Sequence, residues 1–136
     1  MMRYLLDTNA FIGLIGKKSE RLVKRALACE AGAIGLSTVV LHELYYGAYR
    51  SQRVEFNLES IRLLTQDFPL VAFDRDDAQI AGGVRAELAT LGTPIGSFDI
   101  LIAAQAKARR LICVTNNTRE FQRVGGLKVE DWTAAE

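Results

Sequence analysis

Short apolar runs alternate with longer segments of helical periodicity along the whole chain. Tyr4-Leu5-Leu6 is the first run, too short for a helix and composed like a strand buried on both faces. Residues 10–16 read as a short helix ending at Gly16. Lys17 to Glu30 read as a second, with Leu22, Val23, Ala26 and Leu27 on one side and Lys17, Lys18, Arg21, Lys24 and Arg25 on the other. Ala33-Ile34-Gly35-Leu36 is the second strand. Ser37 is placed to cap the next helix, from about Thr38 to Arg50, where Val40, Leu41, Leu44, Tyr45 and Ala48 recur at helical spacing. A further helix covers residues 53–66. Pro69 to Phe73 is strand three, Asp74 opens a long helix to about Leu91, and residues 92–96 form a loop. Phe98 to Ala108 is helical, Leu111 to Val114 is strand four, Thr115 to Arg119 a turn, and Leu127 to Trp132 a last short strand.

Strands that alternate with helices predict an α/β fold of three layers: a mostly parallel central sheet of about five strands with helices on both faces. Right-handed crossovers then bring the C-terminal ends of the strands to one edge, where open α/β sheets bind their ligands.

Composition narrows the function without choosing it. A length of 136 residues suits one domain, and 49% hydrophobic with 24% charged residues suits a soluble globular protein. The net charge of +1 gives no overall pull towards nucleic acid, so such a partner would need a local patch. Cys29 and Cys113 lie far apart in apolar sequence and read as reduced core residues, as in a cytoplasmic protein. No run approaches the roughly 20 apolar residues of a membrane span, and no signal-peptide pattern precedes the first strand.

The acids carry the chemistry. Asp7-Thr8-Asn9 follows the first strand directly, at the ligand-facing edge, where either a helix cap or a functional carboxylate would stand. Glu43 lies inside the apolar stretch Val39-Val40-Leu41-His42-Glu43-Leu44, and a carboxylate there is expensive to bury unless paired or metal-bound. Asp99 begins the almost wholly apolar helix Phe98-Asp99-Ile100-Leu101-Ile102-Ala103-Ala104; capping by Ser97 or Asp99 would account for it taken alone. A fourth polar cluster, Thr115 to Glu120, follows strand four at the same edge as Asp7. One histidine and two distant cysteines do not meet the spacing of a zinc site. An oxygen-only set suits a hard cation, Mg²⁺ or Mn²⁺, which binds phosphate oxygens and activates water.

Other signals fall away. Gly16-Lys17-Lys18-Ser19 is not a phosphate loop, because Phe11 stands where the first glycine belongs and Lys18 where Ser or Thr should follow the lysine. Leu6-Asp7-Thr8-Asn9 lacks the second aspartate of an aspartyl-phosphate phosphatase. His42 reads as a packed or supporting histidine, Asp74, Asp76 and Asp77 as helix N-terminal charge, Tyr45 and Tyr46 as core and interface, and Trp132 as packing for the last strand.

Five segments in this order resemble the PIN-domain ribonucleases, specifically VapC-type toxins of toxin–antitoxin modules. They are Leu-Asp-Thr-Asn at 6–9, Leu-His-Glu-Leu-Tyr-Tyr-Gly at 41–47, Pro-Ile-Gly-Ser-Phe-Asp-Ile-Leu-Ile-Ala-Ala at 94–104, Thr-Asn-Asn-Thr-Arg-Glu-Phe at 115–121 and Gly-Leu-Lys-Val-Glu-Asp-Trp at 126–132. The resemblance spans the chain and implies a single PIN-like domain over 1–136. It implies a Mg²⁺-dependent endoribonuclease, Mn²⁺ substituting, with Asp7, Glu43 and Asp99 as metal-binding catalytic acids and Thr8 and Asn9 fixing Asp7. The fourth acid of the family falls at Asn117, a departure that bears on the number of metals, and Glu120 is placed to supply the missing charge. Arg50, Arg53, Arg85 and Arg119 are candidates to hold the RNA backbone, beside their reading as solvated helix faces. The implied partners are an RNA substrate, read in single-stranded or loop segments, a cognate antitoxin protein and a second copy in a homodimer; no membrane is implied. A non-catalytic RNA- or protein-binding module of the same fold, or a DNA nuclease, are the alternatives.

Overall fold

The computed structural model describes residues 1–134. The elements run β1 (Tyr4–Leu6), α1 (Thr8–Ile15), α2 (Glu20–Leu27), β2 (Ile34–Ser37), α3 (Thr38–Tyr49), α4 (Val54–Asp67), β3 (Leu70–Val71), α5 (Arg75–Thr90), α6 (Ser97–Ala108), β4 (Ile112–Val114), α7 (Thr118–Phe121) and β5 (Val129–Glu130). The five strands form one sheet in the order β3-β2-β1-β4-β5, with every pair parallel. Tyr4 pairs with both Ile34 and Ile112, so β1 is the central strand.

This order sets the position of the site. From β1 the chain steps outward to β2 and β3, then returns across the sheet to β4 and β5. Right-handed connections in the two directions place helices on opposite faces, giving the three layers. The direction reverses between β1 and β4, and the crevice beyond their C-terminal ends is where such sheets take ligands. Asp7 follows β1 there, and Thr115 follows β4.

The core explains the apolar runs. Leu5, Leu6, Leu36, Cys113 and Val114 are completely or almost completely buried in the inner strands, and Ile102, Ala103, Ala104 and Ala106 of α6 pack with them. Gly35 is required in β2, because a Cβ there would meet Met2 Sδ at 2.6 Å and Val71 Cγ2 at 2.8 Å. Trp132 is buried edge-on against Tyr4, with ring centroids 4.9 Å apart. Both cysteines are free, Cys113 buried and Cys29 half-buried.

Several boundaries differ from the expectations, each for a local reason. Helix α1 starts two residues early because Asp7 caps it, accepting from the Ala10 N–H at 2.8 Å. Helix α2 is shorter at its start because Ser19 is its cap, which leaves Lys17 (φ 50°) and Lys18 in the connecting turn. β3 and β5 are edge strands paired on one side only, and each shrinks to two residues. The expected turn after β4 closes into the single helical turn α7, anchored by buried Phe121. Tyr45 and Tyr46 do not join the core; both rings are exposed, since the buried stripe of α3 is Val39, Val40, Leu44 and Ala48.

The aspartates that open α5 do more than complement a helix dipole. Asp74 and Asp77 form a reciprocal capping box, and Asp77, with no exposed surface, pairs with Arg109 of α6. Gln105 extends the network: it accepts from the Ser37 hydroxyl and donates to the Val71 carbonyl at 3.2 Å. Burial alone would push the Asp77 carboxyl up. The Arg109 guanidinium and the Asp74 N–H outweigh it and hold the carboxyl below its ordinary value.

Candidate active site

Four acids from distant parts of the chain meet at the crevice between β1 and β4. Asp7 is 3% exposed and points its carboxylate at the N-terminus of α1, where the helix dipole favours an anion. Cap and candidate functional carboxylate are therefore the same group. Burial pushes the Asp7 carboxyl above its ordinary value. Hydrogen bonds from Thr115 and the Ala10 N–H oppose this, and the nearby charges of Glu43 and Asp131 add to it.

Glu43 comes from the second turn of α3 and is half-buried. Its Oε1 accepts from the Thr8 hydroxyl at 2.6 Å. The expectation that Thr8 and Asn9 fix Asp7 is thus corrected for Thr8, whose hydroxyl holds Glu43. Asp7 is held by Ala10 and Thr115, and Asn9 is exposed.

Asp99 lies in the first turn of α6, where Gly96 is the cap residue and no side chain caps the helix. Neither Ser97 nor Asp99 is spent on capping. A Cβ at Gly96 would come within 3.0 Å of Asp99 Oδ2, so glycine leaves that carboxylate its place. Burial, then the charges of Asp7, Glu43 and Glu120, push the Asp99 carboxyl up from 3.8 to about 6.

Asn117 and Glu120 act as a pair. The Asn117 amide donates to Glu120 Oε2 at 2.8 Å, and the Asn117 N–H donates to Thr115 Oγ1 at 2.9 Å. The amide orients a carboxylate whose charge reaches Asp99. Asp131, just beyond β5, was not expected. Its carboxylate accepts from the Thr133 N–H and hydroxyl, and its charge is felt at Asp7. The signal for it was an acid directly after a strand at the same edge.

The remaining candidates lie elsewhere. His42 is exposed and packs its ring 5.1 Å from that of Phe98. Arg50 lies over Tyr46 and Arg53 over Phe56, and Arg85 borders a groove between α5 and α6. Arg119 is exposed on α7 beside Glu120.

Among the described residues no three His, Cys, Asp or Glu side chains form a ready-made cation cage. The donor set nevertheless fits a hard cation. It is made of oxygen, and burial together with the neighbouring acids raises the proton affinity of Asp7 and Asp99, which is the strain a bound cation would relieve.

A parallel sheet that gathers acids from the end of β1 and from α3, α6 and α7 at its switch point has the placement of a ligand site rich in oxygen donors. The sequence model of the PIN domain family matches residues 4–127. The tRNA(fMet)-specific endonuclease VapC of Shigella flexneri is 44% identical over 133 residues, covering 98% of this chain and all of the relative. The crystal structure of DNA-bound VapBC from Salmonella typhimurium contains a chain that superposes with a TM-score of 0.91 at 39% identity, over 97% of this chain and 99% of that one. VapBC2 of Rickettsia felis, solved with a fragment of its promoter DNA, superposes at 0.88 with 32% identity over 96% and 99% of the two chains. This chain belongs to the PIN domain family, and within it to the VapC-type ribonuclease toxins.

Proposed function

We propose that this protein is the toxin of a toxin–antitoxin pair, a Mg²⁺-dependent endoribonuclease that cleaves tRNA in an unpaired segment. The observation that carries this reading is the convergence of Asp7, Glu43, Asp99 and Glu120 on one crevice, where burial and then the charges of the other three hold the Asp99 carboxyl near 6. A structural role does not require four acids to crowd together.

Asp7, Asp99 and Glu43 would hold the cation, Mn²⁺ substituting for Mg²⁺. When bound, the ion activates water and neutralises charge developing on the phosphate. Three of the four acids arrive pre-oriented: Asp7 by the Ala10 N–H, Glu43 by the Thr8 hydroxyl and Glu120 by the Asn117 amide. Asn117 in this reading is a positioning residue for Glu120 and not a ligand in its own right. The tRNA substrate is taken from the activity for which the Shigella flexneri relative is named.

The partner is an antitoxin protein, by likeness to the VapBC complexes. The chain acts as one PIN-like domain over 1–136, in the cytoplasm and as a homodimer. Tyr45, Tyr46, Tyr49 and Phe56, exposed on α3 and α4, supply apolar surface for such contacts. Among the described residues no helix is long and apolar enough to cross a membrane.

The test is cleavage by protein freed of any partner, on tRNA, single-stranded RNA and DNA, with Mg²⁺, Mn²⁺ or chelator, beside Asp7→Asn. Metal-dependent RNA cuts absent from the variant are expected. Binding without cutting would move the protein to the non-catalytic module, and cuts confined to DNA would change the substrate.

A further inference from the structure

The acidic centre poses a problem for its own substrate, since the phosphates on either side of the cut approach a cluster of carboxylates. The structure offers a compensating surface in an unexpected place. Residues 17–25 contain Lys17, Lys18, Arg21, Lys24 and Arg25 against Glu20 alone, a charge of +4 in a chain whose net is +1; everything else together is −3. Lys17 and Lys18 in the turn before α2, and Arg21 and Lys24 on the helix, are exposed, and the helix buries only Leu22 completely.

Two adjoining clefts border this helix, and the inner one reaches two residues that act on Asp7. The inner one, of about 250 Å³, runs between α1, the ends of β4 and β5, and the turn before α2. Thr115 and Asp131, which act on the Asp7 carboxylate, line it together with Asn9, Asn116 and Lys18. The outer one, bordered by Arg21, Lys24 and Arg25, shares Trp132 with the first. The cations differ in what they do. Arg25 is engaged with Glu130 at 3.1 Å and lies over the Trp132 ring at 5.2 Å, so it builds the wall. Among the described residues Lys18, Arg21 and Lys24 enter no ion pair, and Arg21 and Lys24 are exposed.

We propose that Lys18, Arg21 and Lys24 form a phosphate track that carries the RNA strand from the cleavage site along the inner cleft and onto helix α2. Amides and hydroxyls line the inner cleft, where bases and riboses would find hydrogen bonds, and Arg21 and Lys24 border the outer one, where backbone charge would be met. Arg50, Arg53 and Arg85, by contrast, border neither cleft. The track deepens the ribonuclease reading and rests on it for the identity of the strand.

The test uses full-length protein carrying Asp7→Asn, which keeps RNA intact, and fluorescein-labelled tRNA read by anisotropy across a KCl series. R21A/K24A should weaken binding about 10-fold near physiological salt and reduce the slope of log affinity against log salt by about 1–1.5, at roughly 0.7 per single-strand phosphate contact. R62A, which removes a cation paired with Glu59 on α4, should leave the slope unchanged. In the cleavage-competent protein the loss should fall in KM rather than kcat. An unchanged slope in R21A/K24A, or weakened antitoxin association with RNA affinity intact, would overturn the track. Wild-type protein that binds tRNA through these residues but never cuts it would sink the nuclease reading and leave the track standing.

Discussion

Asp99→Asn should make the cation-free protein more stable while abolishing its cleavage. The Asp99 carboxyl stands at about 6 against an ordinary 3.8, so the folded state favours its protonated form. A group raised in this way contributes its full stability below the unfolded value and loses it as pH rises through about 6. At neutral pH the ionised carboxylate therefore opposes folding, by roughly 3 kcal/mol if the whole gap counted. Asp99 is only half-buried, and solvent screening reduces this to on the order of 1–2 kcal/mol. Asparagine keeps the shape and removes the charge, so in chelator at about pH 7.5 the variant should melt roughly 3–8 °C above wild type. The difference should shrink as pH falls below about 6 and vanish only well below the ordinary 3.8, where the carboxyl is protonated in the folded and unfolded chains alike. Mg²⁺ should raise the melting temperature of wild type and have much less effect on the variant. The assay is thermal unfolding of both proteins in chelator over this pH range, repeated with Mg²⁺. A variant no more stable than wild type at neutral pH, or a difference that ignores pH, would refute the electrostatic account of the site.

Thr8→Val should leave stability within about 1 kcal/mol and lower kcat about 10–100-fold, because the lost hydroxyl frees Glu43; steady-state kinetics beside calorimetry would separate the two. Asn117→Asp should tighten Mg²⁺ binding and destabilise the cation-free protein, by adding a charge beside Glu120; titration calorimetry and melting in chelator measure the two effects. Arg109→Met should cost about 3 kcal/mol in urea unfolding at neutral pH, since it strands the buried Asp77 carboxylate. The Asp77 contribution is present above its ordinary carboxyl value and lost as pH falls through the depressed one, so the variant and wild type should converge in acid.

The strand–helix alternation was legible because β1, β2 and β4 are buried on both faces and read as continuous apolar runs. The edge strands were overestimated because apolar composition does not say how many residues find a pairing partner. Asp7, Glu43 and Asp99 stood out as acids in apolar surroundings. What holds them did not: the Thr8–Glu43 bond joins residues far apart in sequence, and the Asn117–Glu120 pair depends on the short helix α7 closing. Asp131 stood within a recognised segment, but only the sheet order shows that β5 ends beside β4 and delivers the residue to Asp7. The Asp77–Arg109 pair was hidden for the same reason, its partners lying on different helices.

The placement of β1 bears on the order in which the protein can be made. This strand precedes every other strand of the sheet in the chain, yet it is the middle of the sheet and finds its second neighbour only when Ile112 to Val114 arrive. Until then Asp7 has its helix cap but neither Asp99 nor Glu120 beside it, and closing so long a loop makes the pairing late. A nascent chain cannot assemble the acidic crevice while most of its length is still being translated. Whatever chemistry the crevice performs can therefore begin only after β4 has joined β1 in the sheet.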